Sequence, residues 1–151
     1  MNWIILEYER DRQIVVCRNM TRLGIAYYHP VEMREVRPSR NAPRSKSILK
    51  DFALIPGTMF LRCGIEMAHK ALATQYTEHV ICDIFTKPLE VPEMQVLRFR
   101  AAIADWNETI RKRWERGQDT KATERHKFVK MTLETLASLK EQKFGDKSLA
   151  Q

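Results

Sequence analysis

The 151-residue chain is poor in the residues that staple or metallate a small protein. Its three cysteines, Cys17, Cys63 and Cys82, are odd in number, widely spaced and form no Cys-x-x-Cys pair. That argues against a disulfide framework and against a zinc site, and leaves buried free thiols in a reducing cytoplasm as the expectation. The histidines, His29, His69, His79 and His126, are scattered without metal-ligand spacing. There is no Gly-rich phosphate loop, no carboxylate pair at a meaningful spacing and no His-Cys-Asp signature. Neither catalysis nor a cofactor is expected. No apolar run approaches the roughly 20 residues of a membrane span. The N-terminus lacks the basic-then-apolar pattern of a secretory signal. A cytoplasmic protein without a membrane partner is the expectation.

Acid is also scarce. Aspartate and glutamate number 19 against 26 lysines and arginines, a net charge of +7 that favours polyanionic surroundings. From Arg34 to Lys50 the cations are Arg34, Arg37, Arg40, Arg44, Lys46 and Lys50, and Glu35 is the lone acid. A second cluster, Arg111 to Lys130, is diluted by Glu115, Asp119 and Glu124. Such runs suit solvated loops as well as nucleic-acid contacts; two of them in a small protein favour nucleic acid.

What is present is a globular pattern: 44% apolar and 30% charged residues, enough for one core with an appendage. Trp3 to Leu6 suits a central strand buried on both faces. Asp11 is placed to cap a helix carrying Ile14, Cys17, Met20 and Leu23, and Gly24 suits the position just past its end. Ile25 to Tyr28 and Val31 to Val36 read as strands around His29-Pro30, the second with Val31 and Met33 inward. Residues 37–47, with Pro38, Ser39, Asn41, Pro43 and Ser45, read as a mobile basic hairpin loop.

In Phe52 to Arg62, an apolar strand is interrupted by Pro56-Gly57. Proline donates nothing to a ladder and glycine packs no side chain, so the pair implies a bulge that turns Thr58 and Phe60 toward a working surface. An ordinary tight turn between two short strands is the other reading. A helix carrying Ile65, Met67, Ala68, Ala71 and Leu72 follows Gly64, then a strand from His79 to Phe85 and a turn at Thr86-Lys87-Pro88. Pro92 is expected at the first position of the next helix. There Val96, Phe99, Ile103, Trp106, Ile110 and Trp114 form one apolar stripe. A last helix places Phe128, Val129, Leu133, Leu136 and Leu139 on one face, packed as an antiparallel hairpin on the one before. The fold class is α+β, a mainly antiparallel sheet with flanking helices.

Leu23-Gly24-Ile25-Ala26-Tyr27-Tyr28-His29-Pro30, a basic loop, then Leu54-Ile55-Pro56-Gly57-Thr58-Met59-Phe60-Leu61 resembles the N-terminal domain of the NusG family. Trp3 matches that family's Trp-led first strand, and Lys87-Pro88-Leu89-Glu90-Val91-Pro92 resembles the lead into its final helix. The likeness covers residues 1–105, leaving 106–151 as a helical C-terminal extension in place of the family's KOW barrel. Thr58 stands where the family has tyrosine, with Tyr27 or Tyr28 as a substitute anchor.

The resemblance implies binding to a multisubunit bacterial RNA polymerase at the clamp helices, promoting processivity and antitermination. The positions matching the polymerase-facing motif are Pro56, Gly57, Thr58 and Phe60, and His69 and Lys70 match the place of a gate-loop contact. Arg37, Arg40, Arg44 and Lys46 would lie along upstream or non-template DNA. This reading expects a Phe60→Ala, Thr58→Glu double variant to lose polymerase and keep its fold. Two alternatives stand beside it: an inhibitor or competitor of the host's own factor at the same polymerase site, and a generic basic nucleic-acid-binding protein.

Overall fold

The apolar run after Trp3 becomes the interior of a sheet. In the computed structural model, which describes residues 2–141, β1 (Ile4–Tyr8) lies between two neighbours. These are β5 (Thr58–Arg62) and β6 (Thr77–Val80), and β2 (Ala26–Tyr28) completes an antiparallel sheet of order β2-β5-β1-β6. Register places Ile5 opposite Phe60, and Phe60 opposite Tyr28. A second, two-stranded sheet pairs β3 (Val31–Val36) with β4 (Ile48–Ala53). Because β2 runs into β3 and β4 into β5, the two sheets form one long hairpin, bent at His29-Pro30 and at Leu54–Gly57. The outer half, β3 and β4, is an arm.

Strand alternation sends Trp3, Ile5 and Phe60 to one face of the main sheet and Ile4, Leu6, Tyr8, Met59 and Leu61 to the other. The second face is covered by α1 (Gln13–Arg22) and α2 (Ile65–Leu72). Helix α1 ends as Gly24 suggests. With φ at 73°, Gly24 donates to the Thr21 carbonyl and Ile25 donates to that of Met20, a Schellman closure. Its start differs from expectation: Asp11 makes no cap, and Arg12 holds the cap position. Val16 and Met20 are its buried residues, while Ile14 is 71% exposed, because the helix turns that flank to water.

The first face is covered by α3 (Glu93–Glu115) and α4 (Ala122–Lys140). Pro92 is the cap residue of α3 rather than its first helical one. The apolar stripe is as expected: Val96, Phe99, Ile103 and Ile110 are buried, and Trp106 stacks on Phe128 of α4, ring centroids 4.5 Å apart. Antiparallel packing follows, since Arg113 reaches Glu124 while Phe99 and Leu139 share the core at the other end. On α4 Leu136 and Leu139 are buried, Phe128 and Val129 half-buried, and Leu133 is turned out.

Three expectations need correction. The boundary placed at 105/106 falls inside α3, and Leu136 and Leu139 share a core with Trp3, Ile5 and Phe60, so the C-terminal helices complete that core. Residues 142–151 of the expected extension lie outside the described residues. The strand read from His79 to Phe85 stops at Val80. Residues 83–87 form a turn in which Asp83 accepts from the backbone N–H groups of Phe85 and Lys87, leaving Ile84 exposed. Finally, none of the cysteines is fully buried, and Cys82 is exposed beside that turn. No helix among the described residues is long and apolar enough to cross a membrane.

Candidate functional site

The Pro-Gly pair builds a type II turn. Thr58 N–H donates to the Ile55 carbonyl at 3.2 Å, Pro56 takes the second position, and Gly57 takes the third with φ at 86°. Tyr8 N–H donates to the Gly57 carbonyl at 2.9 Å. A Cβ at Gly57 would sit 3.1 Å from the Tyr8 carbonyl oxygen, so the turn is pressed against β1. The tight-turn reading is the one realised.

The chain after the turn goes inward, contrary to expectation. It enters β5, an interior strand with helices on both faces, so Thr58 is 3% exposed and Phe60 is fully buried. Phe60 packs between Tyr28 and Phe99, at centroid distances of 6.1 and 5.5 Å. Of the motif, Pro56 is exposed and Gly57 is buried. His69 and Lys70 are exposed on α2, which packs on the other face of the sheet from Phe60. The structure does not bring these six positions into one surface. Tyr28 is half-buried over Phe60, with the Arg100 guanidinium 5.2 Å from its ring centre. Burial pushes its phenol up to about 12, against the opposing charge of Arg100.

The basic loop does join two antiparallel strands, through a single 3₁₀ turn at Arg44–Lys46. It is held at its far end. Arg44 pairs with Asp119, donates to the Gln118 carbonyl at 2.5 Å and lies 3.5 Å from Glu35. Its guanidinium is therefore occupied by protein acceptors, which corrects its expected place on DNA. Arg37 is exposed and 3.7 Å from Glu35. Arg40 and Lys46 are exposed and make no ion pair among the described residues.

Sequence reasoning missed what docks the arm. Glu32 lies between the apolar Val31 and Met33, whose alternation gives no sign that it is buried; it is 2% exposed. Arg125 of α4 grips it with Nε and Nη2 at 3.1 and 2.5 Å, and Arg34 Nε lies 3.4 Å away. The Glu32 hydrogen bond raises the Arg125 pKa above its ordinary value. Asn107 of α3 accepts from the Met33 N–H at 2.8 Å and donates to the Val31 carbonyl at 2.9 Å. Trp114 donates from Nε1 to Ser47 Oγ at 3.0 Å. Partners 67 to 93 residues apart leave no local sequence signal. The alternation of Val31 and Met33 pointed the other way.

Two of the histidines are engaged structurally. His29 bonds Tyr8, and His79 lies 2.6 Å from Glu7, which also faces Lys140 of α4 at 3.8 Å. Among the described residues no three His, Cys, Asp or Glu side chains are grouped to hold a metal ion. No protein-family model matches this chain, and no curated protein matches it.

Proposed function

We propose that the chain is a NusG-like transcription-elongation regulator that binds multisubunit bacterial RNA polymerase at the clamp helices and favours processive, antiterminated transcription. The observation that carries this reading is the course of the chain. A Trp-led strand, a glycine-ended helix, a long hairpin with a basic tip, a Pro-Gly turn, a helix, a strand and a proline-led helix follow in the order the resemblance implies. In this reading Pro56 meets the polymerase. Gly57 and Thr58 set the turn, and Phe60 supports Tyr28 from beneath. His69 and Lys70 make a separate contact with the gate loop from α2. Arg37, Arg40 and Lys46 run along upstream or non-template DNA.

The test is capture of purified bacterial core polymerase by the tagged chain at low and at physiological salt. Salt-resistant capture that is lost when the clamp-helices tip is deleted supports the reading. Capture indifferent to that deletion sinks it. A His69→Ala, Lys70→Glu variant, altered only at exposed positions, reports on the gate-loop contact by weaker capture.

The burial of Thr58 and Phe60 favours a second reading, a basic nucleic-acid-binding protein with no polymerase partner. It expects no capture of nuclease-treated polymerase at any salt.

A further inference from the structure

The two basic clusters of the sequence meet in space. Arg44 bridges from the arm's loop to Gln118 and Asp119, and Ser47 bonds Trp114. These contacts set residues 37–47 against 116–121, the connection between α3 and α4. Every acid of the joint is spent within it: Glu35 and Asp119 on Arg44, Glu115 on Arg111, Glu124 on Arg113. Arg40 and Lys46 on the loop, with Arg116 and Lys121 on the connection, are exposed and make no ion pair among the described residues. Asp119 itself is 77% exposed, but its charge is matched by Arg44, so the unmatched charges on the solvent face are the four cations.

We propose that the arm loop and the α3–α4 connection form one surface for the phosphodiester backbone of duplex DNA. Arg40, Lys46, Arg116 and Lys121 are its phosphate contacts, and Arg44 is the strut that aligns the two halves. The surface lacks what a protein partner needs. No exposed large apolar side chain lies in 37–47 or 116–121, and protein interfaces centre on such anchors while their cores are depleted in lysine. Ser39, Asn41 and Ser45, exposed between the loop's cations, add neutral donors of the kind that phosphates accept. It also lacks what single strands need. No exposed aromatic stands in either segment, and neighbouring Trp114 is half-buried with its N–H committed to Ser47, so bases have no platform to stack on. The inference extends the DNA contact assigned to the loop alone and does not depend on the polymerase.

The experiment is an anisotropy titration of a labelled, mixed-sequence duplex with the full chain across a salt series, without polymerase. Neutralising the connection, Arg116→Gln with Lys121→Gln, is expected to weaken binding as much as Arg40→Gln with Lys46→Gln. Each pair should flatten the slope of log affinity against log salt by about two, one per phosphate contact. Lys127→Gln with Lys130→Gln, an equal loss of charge farther along α4, should leave the slope unchanged. Thermal melts of all three variants check that folding is intact. Wild-type affinity and slope in the connection variant would overturn the proposal. So would equal loss in the α4 control, which would mean that net charge alone is at work. Tighter binding of the matching single strand, or no binding of duplex by the wild type, would overturn it too. Because no polymerase is present, any of these failures leaves the polymerase reading standing on its own test.

Discussion

Tyr8 Oη lies 2.6 Å from His29 Nε2, inside the bend where the arm leaves the main sheet. Burial acts on the two groups in opposite directions. It pushes the phenol up to about 12 and the imidazole below its ordinary 6.5. Both stay neutral near pH 7, and a phenol donating to an unprotonated Nε2 satisfies each of them.

The pair gives stability a pH dependence of definite sign. The unfolded chain takes up a proton at His29 near 6.5, and the folded chain does so only at lower pH. The contribution is therefore fully present above 6.5 and is lost as pH falls from there toward the folded value. Urea midpoints should decline over that window in the wild type and decline less in His29→Gln. Identical pH profiles for the two proteins would refute the assignment. Tyr8→Phe, which leaves a half-buried imidazole without its partner, should cost about 1–3 kcal/mol at neutral pH.

The burial of Phe60 and Thr58 reverses the expectation that both can be changed without harm. Phe60→Ala empties a site between two aromatic rings and should cost about 3–5 kcal/mol. Thr58→Glu places a carboxylate in a dry interior at a further cost of several kcal/mol. The double variant should be unfolded or melt far below the wild type by circular dichroism. A cooperative melt near the wild-type temperature would contradict this burial.

Two glycines with positive φ separate backbone strain from crowding. Gly24→Ala meets no atom within 4 Å and should lose about 1 kcal/mol from its conformation alone. Gly57→Ala adds a contact at 3.1 Å with the Tyr8 backbone and should lose measurably more. Equal losses in denaturant unfolding would show that the turn yields to the extra carbon.

Arg125→Met strands the Glu32 carboxylate, whose remaining cation is Arg34 at 3.4 Å. The Arg125 side chain is 42% exposed, so water offsets part of the loss, and about 2–3 kcal/mol is expected. Adding Glu32→Gln should restore part of it. A double-mutant cycle that closes with no coupling would show that the arm is held by Asn107 and Ser47 instead.

Most of the element order was legible because it rests on local chemistry. The alternation in β1, the glycine after α1 and the stripe from Val96 to Trp114 each state their structure within a few residues. What failed were inferences about direction. Ile14 and Leu133 fit helical spacing yet face water, because the side of a helix that meets the core is set by the sheet beneath it. The burial of Glu32 has no local signal, because nothing near it in sequence reveals Arg125. Phe60 was read as surface because the Pro-Gly turn marks a change of course without saying which layer follows. The candidate site was thus legible in its loop, where Arg40 and Lys46 are exposed. It was illegible in Arg44, whose acceptors come from a connection 74 residues away.

The Asn107 amide has a consequence for how these molecules keep apart. Its oxygen and nitrogen occupy the N–H of Met33 and the carbonyl of Val31, the groups that a further strand would take. One side chain thus imitates a neighbouring strand and blocks recruitment of a second chain between Val31 and Met33. On the opposite margin, β4 carries the exposed charges Lys50 and Asp51. Docked on α3 and α4, the arm thus keeps its strand edges from serving as a template for fibrils.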